Sequence, residues 1–247
     1  MRTTRRWKPS AGALAAVLFT SGAYGAHPLN TEDTGTQGKG GWQLEVNGER
    51  NQDKVAGEAV KGAQAAALLS YGAGENVDLQ FGVPWQDNGE ARGAGDLIAA
   101  IKWKFWEQGP LSGGIRAAVT APHGDEDQGL GNGKPTLAAQ LIGQYEGERW
   151  MFLAHAGYRR NSNTVGNRES ISEISGAVLC KVTGRLKLLV DANRTTNADP
   201  ASDQKIRQIV LGAIYSPSKD LDLDIGVRRG NDAAIDRAVM AGFTLRW

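Results

Sequence analysis

Several residue types that define other protein classes are scarce in this chain. Cys180 is its only cysteine, so no intrachain disulfide can form. The 28 Lys and Arg residues nearly balance the 27 Asp and Glu residues; four of the basic ones precede residue 9, which leaves 24 basic against 27 acidic. That balance provides no polycationic surface, and the composition therefore excludes a disulfide-rich scaffold and argues against a nucleic-acid-binding protein.

Residues suited to catalysis are few as well. The chain has three histidines and no GxSxG, HExxH or CxxC motif. His155 falls in a strand-like segment, and we interpret it as a hydrogen-bonding group rather than a catalytic base. His123 precedes an acidic run at 124–128 that lacks the spacing of a calcium-binding loop, so a solvated loop is the better interpretation. The sequence therefore predicts a protein that is not an enzyme and has no cofactor or metal.

Long hydrophobic runs are also missing. The apolar run at 11–19 is well short of the roughly 20 residues that a transmembrane helix needs. Basic residues precede it and small residues at 21–26 follow it, which predicts a signal peptide over 1–25. The next stretch, 26–41, is polar and rich in turn residues and is predicted to be a periplasmic lead-in to the first strand. The pattern leaves open whether this stretch also plugs the fold that follows.

The last ten residues, 238–247, carry the clearest structural pattern. Val239, Ala241, Phe243, Leu245 and Trp247 alternate with smaller or polar residues, so they share one side of an extended strand. An ordinary edge strand rarely ends on a bare aromatic residue, whereas the closing strand of an outer-membrane barrel ends at the membrane interface. Phe243, Leu245 and Trp247 are therefore predicted to form the signal that the barrel-assembly machinery receives.

The same alternation recurs from residue 42 onwards. About twelve segments show it: 42–50, 63–71, 76–83, 96–106, 113–121, 136–145, 149–158, 174–183, 185–193, 206–215, 220–228 and 238–247. The connections after odd-numbered segments are mostly long, near 51–59, 84–95, 122–135, 161–170, 195–204 and 229–235, whereas those after even-numbered segments are short. A soluble β-sandwich has no reason to sort its loops in this way. The pattern predicts an all-β fold, an antiparallel up-and-down transmembrane β-barrel of about twelve strands over 42–247.

The apolar row of each segment is predicted to face lipid, with aromatic residues near the membrane boundaries and with Lys and Arg in the other row. That other row is predicted to line the lumen through Glu45, Asp78, Lys102, Lys104, Arg116, His155, Lys187, Asp191, Asp222, Asp224, Arg228 and Arg246. These groups either stiffen a filled barrel or line a narrow solute path. Because most of the basic groups come from middle strands and several acidic ones from the first and eleventh, we expect the two signs to occupy opposite walls.

Three passages resemble one family of outer-membrane proteins. They are the polar stretch 27–40 before the first strand, Gly95-Asp96-Leu97 followed by Ile101-Lys102-Trp103-Lys104-Phe105, and the closing 242–247. Together they are similar to the transporter-like family named for the meta-pathway of phenol degradation. The resemblance implies an outer-membrane barrel that passes small, often hydrophobic or aromatic, molecules inward, and it carries no binding residues over to this chain.

These observations predict a channel in a Gram-negative outer membrane for passive uptake of small molecules. Its expected partners are outer-membrane lipid, the barrel-assembly machinery and a small-molecule solute, and a monomer is favoured. The outer loops at 84–95 and 122–135 are expected to set selectivity together with the lumen. The alternatives are a structural or adhesive barrel with a sealed lumen and, more distantly, an outer-membrane hydrolase.

Overall fold

The computed structural model describes residues 27–55, 58–231 and 237–247. The predicted signal peptide over 1–25 lies outside these described residues. Within them, no helix has the length and apolar character needed to cross a membrane.

The described chain forms thirteen β-strands. In chain order they are β1 (Trp42–Val55), β2 (Glu58–Gly74), β3 (Val77–Asp87), β4 (Arg92–Ala94), β5 (Leu97–Gln108), β6 (Leu111–Ala121), β7 (Thr136–Glu146), β8 (Trp150–Arg160), β9 (Ser170–Lys181), β10 (Leu186–Thr195), β11 (Ile206–Tyr215), β12 (Leu221–Gly230) and β13 (Arg237–Arg246). The predicted segment 206–215 coincides with β11, and most of the others differ by a few residues at one or both ends.

Twelve of these strands close into one antiparallel barrel. Each pairs with its neighbours along the chain, except that the short β4 pairs only with β3, and β5 is the next wall strand. The barrel is closed because β13 pairs with β1, with Leu245 opposite Leu44 and Phe243 opposite Val46. The predicted up-and-down barrel, closed by its last strand against its first, is confirmed. We call the end with the short turns the periplasmic end and the other the outer end.

The alternation in the sequence appears as two faces of the barrel wall. In β3, exposed and buried residues alternate over almost the whole strand. Large apolar residues are exposed on the outer surface all round the barrel, as shown by Leu137 at 59% exposure, Ile225 at 58% and Val239 at 57%. A soluble protein would hide such residues, whereas a bilayer solvates them, so this is the lipid-facing row.

Aromatic rings pack at the periplasmic end of the seam, the pairing of β13 with β1 that closes the barrel. Trp42 and Trp247 exchange backbone hydrogen bonds of 2.9 and 3.1 Å, and their rings stack with centroids 6.4 Å apart. Tyr71 of β2 packs on the other side of Trp42 with a centroid distance of 4.6 Å. Three adjacent strands therefore meet in one aromatic cluster where the barrel closes.

The predicted loops at 51–59 and 84–95 are partly strand. The pairing of β1 with β2 continues outward beyond residue 50, with Gln52 opposite Lys61, and β3 continues to Asp87 before pairing with β4. The extension of β1 and β2 lacks alternation in its sequence because it rises above the hydrocarbon, where water solvates both faces and nothing selects apolar residues. In β3, in contrast, buried and exposed residues continue to alternate through Gln86. The prediction placed the strand ends at the membrane boundary instead of at the end of the backbone pairing.

The segment 27–41 enters the barrel. The sequence predicted a periplasmic lead-in and left open whether it plugs the fold; Thr31 and Glu32 are completely buried and Thr34 is nearly so, all three inside the closed sheet. We call residues 27–41 the inner segment.

Candidate functional site

The inner segment crosses the lumen without joining the sheet, so its amide groups need other partners. Side chains of the wall supply them. Asp191 of β10 accepts from the amides of Asn30 and Thr31 at 3.0 and 2.8 Å through the same carboxylate oxygen. The Thr31 hydroxyl also lies 2.6 Å from the hydroxyl of Ser175 on β9. One wall of the barrel therefore holds this part of the segment through its backbone.

Three further amides are held in the same way by other strands. The contacts are Glu32 N with His155 Nδ1 at 3.0 Å, Thr34 N with Gln144 Oε1 at 3.1 Å, and Gln37 N with Asp78 Oδ1 at 3.0 Å. The acceptors lie on β8, β7 and β3, so together with Asp191 they reach the segment from several sides of the barrel. A wall that binds backbone amides holds an extended chain along its whole path.

Charge also anchors the inner segment. Lys102 of β5 donates to Glu32 Oε1 and to Asp33 Oδ1, both at 2.9 Å. Arg116 Nε lies 4.0 Å from the second oxygen of Glu32. Since Glu32 has no exposed surface, its charge is tolerated only because these cations compensate the lost hydration.

Glycines make room for the segment where it touches the wall. A Cβ on Gly72 would lie 1.6 Å from the carbonyl oxygen of Gly38, so β2 accepts the segment only without a side chain there. A Cβ on Gly212 or Gly226 would approach Pro28 to 2.8 or 2.9 Å. His27, the residue before Pro28, contacts the carboxylate of Asp224. The wall is therefore shaped to fit this segment at both of its ends.

Part of the lumen wall is apolar. The inward residues Leu153, Leu179, Leu189, Val210, Ile214 and Met240, from strands between β8 and β13, form one buried cluster with Ala177. Leu29 of the inner segment packs into this cluster and is only 3% exposed. We call these wall residues, without Leu29, the apolar wall. With the segment in place, Leu29 covers it.

The predicted lumen residues fall into two groups. Asp78, Lys102, Arg116, His155, Asp191 and Asp224 surround the inner segment. The other charged residues make contacts within the wall: Arg228 binds Glu49 at 2.6 and 2.7 Å, Arg246 binds Asp222 at 2.9 Å, Lys104 binds Glu107 at 2.5 Å, and Glu45 accepts from Gln43 at 2.6 Å. Lys187 is half-buried near the periplasmic end of β10.

The expected separation of charge onto opposite walls is not observed. Asp78 lies directly opposite Lys102 in the pairing of β3 with β5, so acidic and basic groups are neighbours. Glu32 and Asp33 add two more carboxylates beside Lys102. Of the basic groups on the middle strands, Lys102 and Arg116 compensate the charge of the inner segment, whereas Lys104 pairs with Glu107 in the wall.

His155 has neighbours at both ring nitrogens. Its Nδ1 accepts from the Glu32 amide, and its Nε2 lies 3.3 Å from Glu173 Oε1. Glu173 also accepts from Gln140 Nε2 at 2.9 Å. The histidine thus links the inner segment to β9, the role of a hydrogen-bonding group that its place in the sequence suggested.

The outer loop at 122–135 is folded over the barrel. Asp96 accepts from the amides of His123, Gly124 and Asn132 at 3.1, 3.1 and 2.9 Å, which pins both arms of the loop to the start of β5. Leu130 at its centre is buried. Among the described residues, no three acidic, histidine or cysteine side chains are grouped to hold a metal ion, and the run 124–128 is no exception.

Sequence reasoning missed Leu29, Thr31, Glu32 and Asp33 as site residues. An extended segment without strand pairing has no periodicity, so no pattern marks it. The available signal was indirect: several carboxylates on the predicted inward row require hydrogen-bond donors, and the adjacent unpaired amides of 27–41 could provide them. The apolar wall was missed because inward positions were assumed to be polar.

Comparison with solved structures identifies similar barrels. The COG4313 outer membrane channel from Pseudomonas putida F1 superposes with a TM-score of 0.68 at 13% identity, covering 87% of this chain and 98% of that one. The NanC porin gives 0.62 at 8% identity, and the KdgM porin 0.60 at 9%; each alignment covers 82% of this chain and 98% of the porin. At such low identity the likeness establishes the fold alone, that of outer-membrane channels and porins.

Comparison with curated proteins gives no match. A family match, in contrast, spans almost the whole chain. Residues 26–247 match the family described as the putative MetA-pathway of phenol degradation, and the match includes the inner segment as well as the barrel. The resemblance seen in the sequence is therefore confirmed, and this chain, an outer-membrane β-barrel, belongs to that phenol-degradation family.

Proposed function

We propose that this barrel is a passive channel for the uptake of small apolar or aromatic molecules across the outer membrane. The observation that carries the proposal is the apolar wall, the larger of the two buried apolar clusters in the described lumen. A barrel that needed only to be filled could use the paired charges seen elsewhere in its lumen. An apolar surface instead allows a solute to bury its own apolar surface away from water, which is favourable in free energy.

The inner segment acts as the gate of this channel in our proposal. Leu29 occupies the apolar wall, so the segment and an apolar solute compete for the same surface. Its contacts are side-chain hydrogen bonds and ion pairs rather than a β-ladder, so the segment leaves without breaking the barrel. Permeation then requires displacement of the segment, and its return restores the seal.

In this proposal the protein carries out no chemical step. Supporting this, His155 is oriented by the Glu32 amide and lies beside Glu173, so it serves the anchoring of the segment. The fold neighbours are channels and porins. A structural or adhesive barrel with a sealed lumen is the rival, and the close fit of the inner segment favours it.

Solute flux into proteoliposomes separates the two functions. We expect the reconstituted full chain to admit a small aromatic alcohol faster than a sugar of similar size. Replacing the apolar wall in Leu179→Asn/Val210→Asn should lower the aromatic flux about tenfold, because the solute loses its apolar contacts. If proteoliposomes that contain folded protein admit neither solute, the barrel is sealed.

The matched control is Leu68→Asn, which also buries an amide on the inward face but lies in a separate cluster with Ala66 and Ile98. This variant should keep the ratio of aromatic to sugar flux. An equal loss in both variants would mean that the apolar wall has no special role.

A further inference from the structure

Arginines form an arc on the outer surface of the barrel at its outer end. Arg50, Arg194, Arg207, Arg229 and Arg237, from β1, β10, β11, β12 and β13, are all exposed and lie at or near the outer ends of their strands. Each occupies the same alternating row as the lipid-facing residues of its strand, so its side chain projects outward. The lipid-facing row, which was predicted to lack Lys and Arg, therefore contains arginines on these five strands where the strands approach the outer end.

Their height on the barrel coincides with the outer membrane boundary. Arg207 and the aromatic Tyr215 lie in the same row of β11, eight residues apart. That spacing corresponds to about 26 Å along the strand, or about 20 Å along the membrane normal for a typical tilt. Tyr215 marks the periplasmic interface, so the arginines reach the level at which hydrocarbon gives way to headgroups.

The register places like charges directly opposite each other. Arg194 faces Arg207 across β10 and β11, and Arg229 faces Arg237 across β12 and β13. Directly opposed like charges destabilise a sheet unless an anion lies between them. Asp203 in the loop above β11 is already engaged by Arg168, at 3.4 Å. The exposed pair of Arg194 and Arg207 therefore presents two guanidinium groups to the outside at the depth of lipid headgroups, whereas Arg237 of the second pair already donates to Gln52 Oε1 at 2.7 Å.

We propose that this arc binds the phosphate groups of phosphorylated lipid in the outer leaflet of the outer membrane. Guanidinium groups bind phosphate through paired hydrogen bonds, and two of them in register match one doubly charged phosphate. Directly below the arc, Ile209, Leu211 and Val190 are about half exposed and accommodate the acyl chains of the same lipid. The surface thus fits a ligand that carries phosphate groups and acyl chains in the same molecule. Free phosphate would use only the arginines.

Opposed arginines occur on one side of the described barrel. At the outer end of β3 the lipid-facing row contains the aromatic Trp85, and on β8 a single arginine, Arg160, follows the aromatic Tyr158 with Leu137 and Ser170 as its register partners. The arc lies on the five adjacent strands around the pairing of β13 with β1. Lipid bound there would hold the barrel at a fixed depth on the side where it closes.

Binding of lipid A to the full chain in detergent micelles tests the proposal. We expect bis-phosphorylated lipid A to bind and the same lipid without its phosphates to bind much more weakly. Arg194→Gln/Arg207→Gln should weaken lipid A binding about thirtyfold, as expected for the loss of two headgroup-level cations. Arg194→Lys/Arg207→Lys keeps the charge and should lose much less. Electrophoretic mobility before and after heating verifies that each variant is folded.

Arg149→Gln/Arg185→Gln provides the matched control, because these exposed arginines lie in the periplasmic turns at the opposite end. We expect this variant to bind lipid A like the unchanged chain. Three results would overturn the proposal: equal lipid A binding by folded Arg194→Gln/Arg207→Gln, an equal loss in the periplasmic control, or complete displacement of lipid A by inorganic phosphate. The last would identify a simple anion site.

Discussion

The hydroxyl oxygens of Thr31 and Ser175 lie 2.6 Å apart in the lumen, where the inner segment meets β9. This proximity allows the proposed gate to be locked covalently, because two sulfurs in these positions need to move only slightly to reach a disulfide distance of about 2.05 Å. In a Cys180→Ala background, Thr31→Cys/Ser175→Cys should therefore reduce ion and solute flux under oxidising conditions. Single-channel conductance should recover when a reductant is added.

A second pair of hydroxyls offers the control for this lock. Thr120 and Thr136 also lie 2.6 Å apart, but they join the wall strands β6 and β7 and do not touch the inner segment. Thr120→Cys/Thr136→Cys should form its disulfide without changing conductance. If oxidation changes neither conductance, the inner segment is not the gate.

Removing the cation at Lys102 should release the inner segment. Lys102→Met leaves Glu32 buried with only the more distant Arg116 as a counter-charge. Loss of one partner of a buried ion pair costs about 3–5 kcal/mol, which is enough to shift the segment largely out of the lumen. We expect a higher conductance and, because the lumen loses a cation, a shift of the ion preference toward cations in planar-bilayer recordings.

Two further variants separate this effect from a general loss of charge. Lys104→Gln breaks the pair with the exposed Glu107 near the periplasmic end and should leave conductance unchanged. Adding Glu32→Gln to Lys102→Met removes the uncompensated carboxylate and should restore part of the closure. An increase in conductance for Lys104→Gln equal to that for Lys102→Met would contradict the anchoring role of Lys102.

The wall of this barrel could be predicted from sequence because lipid imposes a period of two on every strand. The pairing of β13 with β1 follows once the last strand is assumed to close the barrel, and the shared outward row of Leu44 and Leu245 follows from the period of two. The prediction failed where that constraint ends. Gln52 and Lys61 pair above the membrane, where both faces are hydrated and alternation is not required.

The contents of the lumen were harder to predict for a different reason. Asp78 and Asp191 could be assigned to the inward face, yet nothing in their spacing indicates that they hold the amides of Gln37 and Thr31. Those contacts join residues 41 and 160 positions apart in the sequence, and they bind backbone, which every residue has. Only the path of the inner segment in three dimensions reveals them.

Closure of the barrel at Trp247 provides a third prediction. Trp247→Ala removes the ring that stacks on Trp42 and should lower the free energy of unfolding by about 1 kcal/mol beyond the loss of buried area. Trp150→Ala removes an exposed ring from β8, away from the seam, and should cost less. Urea titration in detergent compares the two variants.

The same strand tests the expected recognition by the barrel-assembly machinery. Phe243 and Leu245 of β13 and Trp247 directly after it are all exposed on the outer surface. If they form the assembly signal, Phe243→Ala/Trp247→Ala should lower the yield of folded barrel in cells by a larger factor than it lowers the yield of refolding in detergent. Equal losses in both measurements would assign these residues to stability alone.

The close approach of Gly72 to Gly38 leads to the sharpest steric prediction. A Cβ at position 72 would lie 1.6 Å from the Gly38 carbonyl oxygen, so in Gly72→Ala the inner segment must move away from β2. The amide of Gln37, the residue before Gly38, would then lose its hydrogen bond to Asp78. We expect faster cleavage of the segment by added protease and higher conductance. Gly143→Ala, on β7 with no atom within 4 Å of its added Cβ, should change neither measurement. An unchanged Gly72→Ala variant would mean that the segment does not follow this wall.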